Sequence, residues 1–189
     1  MCIIGSPRGA GSTAPLVDRL IAGMHASGIS VARYVLGELQ INYCRGCRTC
    51  GAEQTCVQRD DMDHLLRGIL EVDVVLLASP SYWGDVTGQT KVFDRSLPLC
   101  NAGTGETPVP PRKIGVAVAV RAGRSQAENQ RLVDTFAHYF GHLGIRMAAS
   151  LTVEGVNTLE DMQGQQAKLE EAHQLGWSMS RLCAENVSE

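Results

Sequence analysis

Cys2-Ile3-Ile4-Gly5-Ser6-Pro7-Arg8-Gly9-Ala10-Gly11-Ser12-Thr13 reads as a short apolar strand, a loop of small residues and the first turn of a helix. Leu16, Val17, Leu20, Ile21 and Met24 carry that helix onward at a 3.6-residue period. The same alternation recurs down the chain. Apolar runs at 2–4, 29–36, 72–78, 113–120 and 145–153 predict five strands. Met62, Leu65, Leu66, Ile69 and Leu70 mark a second helix, and further helices are predicted over 87–97, 125–143 and 159–183. Strands and helices in alternation predict an α/β domain, a doubly wound parallel sheet covered on both faces. With 189 residues, one domain over 1–189 is expected. Leu169, Leu175, Trp177, Met179 and Leu182 mark the last helix, most of them as a core-facing stripe.

Bulk properties narrow the partners. The formal net charge is −3 and no Lys/Arg-rich run occurs, which argues against nucleic acid or an anionic membrane. Neither a signal-peptide pattern nor an apolar run long enough to span a bilayer is found, so a cytoplasmic protein is expected. Reducing surroundings leave thiols free for metals or chemistry. Of the seven cysteines, Cys2, Cys100 and Cys183 are scattered and read as small packed residues. The other four, Cys44, Cys47, Cys50 and Cys56, form a C-x2-C-x2-C-x5-C run suited to a metal or a cluster.

In open parallel sheets ligands sit beyond the carboxyl ends of the strands. The loop 5–13 follows the first strand, and its glycines and hydroxyls at a helix start suit an anion. It meets G-x-G-x-x-G only in relaxed form, with Ala14 at the last position, and no Lys precedes Ser12 or Thr13 as a nucleotide P-loop requires. The loop suits either a single phosphomonoester, as in FMN, or, with no ligand at all, an ordinary strand-to-helix turn of Gly and Ser. The third strand ends in Ser79-Pro80-Ser81-Tyr82-Trp83-Gly84, where two aromatics either stack on a planar ring or, for Trp83, plug the core below. The fourth ends in Val120-Arg121-Ala122-Gly123-Arg124, small enough for close approach of a ring edge. Residues 101–112, rich in Pro and Gly, read as a surface loop, either a lid or subunit contact or a plain connection.

Taken in order, Gly5-Ser6-Pro7-Arg8 with Ser12-Thr13, Cys44-Arg45-Gly46-Cys47, Asp60-Asp61-Met62, Ser79-Pro80-Ser81-Tyr82-Trp83 and Lys91-Val92-Phe93-Asp94-Arg95 resemble the flavodoxin-like NAD(P)H-dependent FMN reductases, and within them the iron-sulfur flavoprotein branch. The resemblance implies a flavodoxin-like sheet with strand order 2-1-3-4-5. It implies that Ser6, Arg8, Ser12 and Thr13 hold the FMN phosphate, that Pro80, Tyr82, Trp83, Gly84, Ala122 and Gly123 line the isoalloxazine, and that Cys44, Cys47, Cys50 and Cys56 bind a [4Fe-4S] cluster in the loop 44–56. It further implies a homodimer or homotetramer, with flavin and cluster close to subunit boundaries. The strand before the phosphate loop is shorter than in that family, so either the central strand is shortened or the natural start lies upstream of Met1.

Spacing alone leaves zinc and a thioredoxin-like dithiol as competitors for the sulfurs. Arg45, Arg48 and Arg59 are placed to offset the charge of bound thiolates or to be solvated. His138 and His142, four apart on a helix, lack an evident third ligand. Asp60 and Asp61 read as a helix start. The leading expectation is an FMN-dependent oxidoreductase passing electrons between a small-molecule substrate, FMN and a [4Fe-4S] cluster, with a 2-amino-2-deoxyisochorismate-type ring as one substrate class. The alternatives are an FMN or quinone reductase with NAD(P)H as electron donor, and a non-enzymatic electron carrier or redox sensor with a structural metal. A ferredoxin-like protein is the expected redox partner.

Overall fold

The computed structural model describes residues 1–100 and 107–188. Five parallel strands form one sheet: β1 (Cys2–Ile4), β2 (Arg33–Val35), β3 (Val74–Pro80), β4 (Ile114–Val120) and β5 (Arg146–Val153). Their order is β2-β1-β3-β4-β5, the flavodoxin-like order, with its switch point between β1 and β3. β3 and β4 are nearly continuous Val, Leu, Ile and Ala because helices cover both of their faces. Ile3, Val75, Leu77, Ala117 and Ala119 face one layer, built on α3 (Met62–Glu71) and α5 (Gln126–His142). Cys2, Ile4, Leu76, Ala78, Val116 and Val118 face the other, built on α1 (Thr13–Ala26), α6 (Leu159–Gly164) and α7 (Gln166–Ser188).

Several elements differ from the expectation. Strand 29–36 shrinks to Arg33–Val35, because an edge strand pairs only where its neighbour has backbone to offer and β1 offers three residues. The helix expected over 87–97 is one α-turn, α4 (Gly88–Lys91), followed by a 3-10 segment (Val92–Leu99). Pro98 lacks the amide that an α-helical bond would need there. The helix expected over 159–183 divides at Gln165 and runs on to Ser188. Thr158 and Asp161 form a reciprocal capping box that starts α6. Along α7, Leu169, Ala172 and Met179 are buried while Trp177 points outward. A further short helix, α2 (Cys50–Glu53), lies inside the cysteine loop. Of the loop 101–112, residues 101–106 lie outside the described residues; beyond them Thr107 donates to the Leu99 carbonyl at 2.6 Å and Val109 packs into the core. Among the described residues, no helix is long and apolar enough to cross a membrane.

The cysteine loop is fastened at its base. Asp60 accepts from the backbone and side-chain nitrogens of Asn42, both at 3.1 Å, and from the Met62 amide at 3.1 Å. It also pairs with Arg95 through Nη1, at 2.6 and 2.5 Å. Asp60 therefore takes the first amide of α3, one residue before the N-cap Asp61, and it also ties that helix to the 3-10 segment. Burial alone would raise its pKa, but Arg95, Asn42 and Met62 bring it down to about 2.

Two outcomes follow for stability. Because the folded-state pKa lies below the unfolded value of about 3.9, the contribution of Asp60 is present above pH ~4 and is lost as pH falls toward about 2. Asp60→Asn leaves a buried guanidinium unpaired and is expected to cost about 3–5 kcal/mol at pH 7. In denaturant titrations the gap to wild type should narrow across that acid window; a gap independent of pH would contradict the assignment. At the α1–α7 crossing, a Cβ on Gly23 would overlap the His173 carbonyl and one on Gly176 the Leu20 carbonyl. Gly23→Ala gains up to ~1 kcal/mol of helix propensity, yet it forces backbone from backbone at a cost of about 1–3 kcal/mol. A net loss of roughly 1–2 kcal/mol is expected in urea titration.

Candidate functional site

Parallel pairing brings three loops to one edge. Ile4 stands opposite Ala78, and Pro80 opposite Val120, so the loops after β1, β3 and β4 lie side by side. The first begins at Gly5, whose amide donates to the Ala78 carbonyl at 2.7 Å. A Cβ on Gly5 would overlap the hydroxyl of Thr90, and Thr87 donates its hydroxyl to the Gly5 carbonyl. Thr87 and Thr90 are buried and were not among the residues expected from sequence. Their signal was a hydroxyl residue just before a helical turn, where Thr87 accepts from the Thr90 amide.

Beyond Gly5 the loop folds on itself. Ser6 Oγ accepts from the Arg8 amide at 3.1 Å and donates to the Arg8 carbonyl at 3.0 Å, so this hydroxyl shapes the turn. Ser12 occupies the N-cap of α1 without a side-chain capping bond. The hydroxyl of Thr13, a residue 1% exposed, is buried with no hydrogen-bond partner among the described residues. An unpaired buried hydroxyl costs free energy, and here it lies at the amino end of a 14-residue helix, where unpaired amides and the helix dipole favour an anion. A Cβ on Gly11 would sit 3.3 Å from Arg8 and 3.5 Å from Ser6 Oγ, which makes the loop a close-fitting cradle. Arg8 is exposed at its rim. These features fit a phosphate dianion.

The other two loops, with Glu128 of α5, border an open pocket of about 430 Å³ lined by Ser81, Trp83, Gly84, Arg121, Ala122, Gly123 and Glu128. Four of the six residues expected to line a ring are therefore together; Pro80 ends β3, and Tyr82 is half-exposed in the adjoining turn. Trp83 is fully exposed with φ +56°, an unfavourable backbone for a bulky residue. It does not plug the core, as one reading of the sequence had it. Three residues outside the expected ring-lining set, Ser81, Arg121 and Glu128, complete the wall; Arg121 pairs with Glu128 and donates to the Ser125 carbonyl at 3.2 Å. The Arg121 Nε is buried without a partner among the described residues.

The four cysteines belong to a different face of this edge, on the loop after β2. Cys44, Cys47, Cys50 and Cys56 all line one cavity of about 80 Å³, with Arg45, Arg48 and Arg95 among the other walls. Arg59 instead pairs with Asp63 at 3.6 Å. All four are free thiols. Cys44 Sγ receives the Gly46 amide at 3.4 Å, and Cys47 Sγ the Thr49 hydroxyl at 3.6 Å. The Thr49 backbone and hydroxyl hold the Cys47 thiol below its usual range, whereas burial pushes Cys50 up. Among the described residues no three Cys, His, Asp or Glu side chains converge closely enough to hold a metal. The donor set thus fits a thiolate-bound group in chemistry and in shared cavity, and ligation requires the side chains to turn inward. Cys2 is buried, its pKa pushed up to about 12, and is unsuited to chemistry. His138 and His142 pack edge to face at 4.5 Å.

Comparison with known proteins agrees with this fold. A family profile described as NADPH-dependent FMN reductase covers residues 1–153. An iron-sulfur flavoprotein of Archaeoglobus fulgidus is 42% identical over 127 residues, 67% of this chain and 56% of that protein. An iron-sulfur flavoprotein of Methanocaldococcus jannaschii is 37% identical over 124 residues, 65% of this chain and 62% of that protein. The chain spans less than two thirds of the length of these curated relatives. Among solved structures, RosB with bound 8-demethyl-8-formylriboflavin-5'-phosphate superposes with a TM-score of 0.76 at 16% identity, covering 97% of this chain and 78% of that one, and so shares the fold. On the match over residues 1–153, the chain belongs to the NADPH-dependent FMN reductase family.

Proposed function

We propose that this chain is an FMN-dependent oxidoreductase of the iron-sulfur flavoprotein type, exchanging electrons between a small-molecule substrate, FMN and a [4Fe-4S] cluster. The observation that carries the reading is one edge bearing both a phosphate cradle with an unpaired buried hydroxyl and, nearby, four free thiols lining one cavity. Two curated relatives named iron-sulfur flavoproteins support the cluster over zinc.

Bound FMN supplies hydride and single-electron chemistry, and a cluster moves one electron at a time. The residues of the chain bind and orient. Ser12, Thr13 and the first amides of α1 hold the phosphate, with Arg8 at the rim and Ser6 shaping the turn. Trp83, Gly84, Ala122 and Gly123 line the ring, with Pro80 and Tyr82 bordering it. Arg121, kept in place by Glu128, presents positive charge to the ring edge. Cys44, Cys47, Cys50 and Cys56 hold the cluster. NAD(P)H is the proposed electron donor and a ferredoxin-like protein the proposed partner. No described side chain selects an aminodeoxyisochorismate-type ring, so the proposal is made at the level of electron exchange. The exposed apolar side chains Tyr43, Val57 and Leu97 around the cysteine loop support a homo-oligomer covering that region.

Composition of the purified protein tests the reading. One FMN per chain, with iron and acid-labile sulfide, is expected under anaerobic purification. Stoichiometric zinc without iron would refute the cluster, and protein that cannot be reconstituted with FMN would refute the flavin. Cys47→Ser, at an exposed position, should abolish cluster absorption while leaving FMN bound. Thr13→Ala separates the phosphate cradle from a plain turn. It should weaken FMN affinity about 10- to 100-fold, the worth of a hydrogen bond to a charged group, while apoprotein stability stays equal or rises because an unpaired buried hydroxyl is removed.

A further inference from the structure

Arg95 stands out as a guanidinium enclosed in the protein, 2% exposed, and directed at the thiol cavity. Its Nη1 donates to both Asp60 oxygens and to the Asn42 carbonyl at 3.3 Å. Its Nη2 donates to Cys56 Sγ at 3.4 Å and to the Gln58 carbonyl at 3.2 Å. Gln58 in turn donates to the Tyr43 carbonyl at 3.0 Å. Both ends of the cysteine loop, before Cys44 and after Cys56, are thereby fastened to one planar group.

Taking an ion pair out of water is expensive, and well-packed apolar residues often serve stability as well. What apolar residues could not supply is a donor aimed at sulfur. Hydrogen bonds to sulfur and the groups around the ligands tune a thiolate-bound centre.

We infer that Arg95 is a positioning residue of the four-cysteine site, its guanidinium held in plane by Asp60 and Asn42 so that Nη2 holds the Cys56 sulfur at the cavity wall and, once that sulfur is ligated, withdraws electron density from it. The inference rests on the proposal that the four thiols hold a metal group. Lysine could keep the charge opposite Asp60, but it lacks the second arm that reaches Cys56, so the exchange is not conservative here.

The full chain, reduced and stripped of metal, is titrated with Co²⁺, whose thiolate charge-transfer absorption reports on the sulfurs. Arg95→Lys should bind Co²⁺ about 10- to 100-fold more weakly, and the charge-transfer band should move to longer wavelength, because a thiolate without its donor gives up electron density more readily. Asn42→Ala loosens the clasp but leaves Nη2 on the sulfur, and its band should stay at the wild-type position. In the iron-loaded protein, Arg95→Lys should lower the cluster's reduction potential. A folded Arg95→Lys with wild-type affinity and an unmoved band overturns the inference. Should that variant not fold, the guanidinium resonances of Arg95 in the wild-type chain should move on Zn²⁺ addition, and resonances indifferent to Zn²⁺ overturn it equally. Wild-type protein without iron or sulfide but with an Arg95-dependent Co²⁺ site would refute the cluster and leave the inference standing. Iron and sulfide that persist with Arg95→Lys matching wild type would do the reverse.

Discussion

A central strand of three residues has to carry the architecture. β1 is hydrogen-bonded on both sides, to β2 and to β3, and buried on both faces. Its brevity limits β2 to three paired residues, and its end at Ile4 sets where the phosphate loop begins. A strand this short has little pairing of its own to resist fraying. Its continuation is held from below instead, by the Gly5 amide on the Ala78 carbonyl and by Thr87 on the Gly5 carbonyl. Any side chain at position 5 would displace Thr90 and lift the loop off that support. The anion cradle is thus as firm as the packing beneath Gly5.

Unsatisfied groups concentrate where ligands are proposed, and the contrast with the rest of the chain is informative. Lys113, buried elsewhere in the fold, places its ammonium on the Leu70 and Val72 carbonyls. Thr13 Oγ1, Arg121 Nε, Gln58 Oε1, Arg95 Nε and Asn129 Oδ1 have no such partner among the described residues, and the first two belong to residues at the ends of the loops after β1 and β4. Buried polar groups are ordinarily paired, so donors left over at the rim of a sheet mark where a bound group completes the set.

The regular part of this architecture was legible from local pattern. β3 and β4 are continuous apolar runs because both their faces are covered, and α1 and α3 have unmistakable periods. The placement of Ser12, Thr13, Trp83, Gly84, Ala122 and Gly123 at one edge was legible because loop position in a parallel sheet follows from strand order. What stayed hidden depended on contacts distant in sequence. Asp60 read as a helix start, and it takes the first amide of α3, yet its main partner is 35 residues away. Arg45, Arg48 and Arg59 were the expected cations near the sulfurs because they are neighbours in sequence, whereas Arg95 makes the sulfur contact. The break at Gln165 and the 3-10 winding before Pro98 are likewise small local departures within otherwise helical patterns.

One stretch joins the two regions. Thr87 and Thr90 support the start of the phosphate loop, and Arg95, a turn and a half further on, supports Cys56. The backbone between them is one α-turn running without a break into a 3-10 segment, with Val92 and Phe93 buried in the core. A tighter winding than an α-helix advances more per residue, about 2.0 Å against 1.5 Å, so few residues span from one support to the other. Packed interiors transmit displacement because they have little free volume. A shift of Phe93 would therefore be felt at Gly5 through the threonines and at Cys56 through the guanidinium. The spacing between the phosphate loop and the cysteine loop thus depends on the least regular helix of the fold.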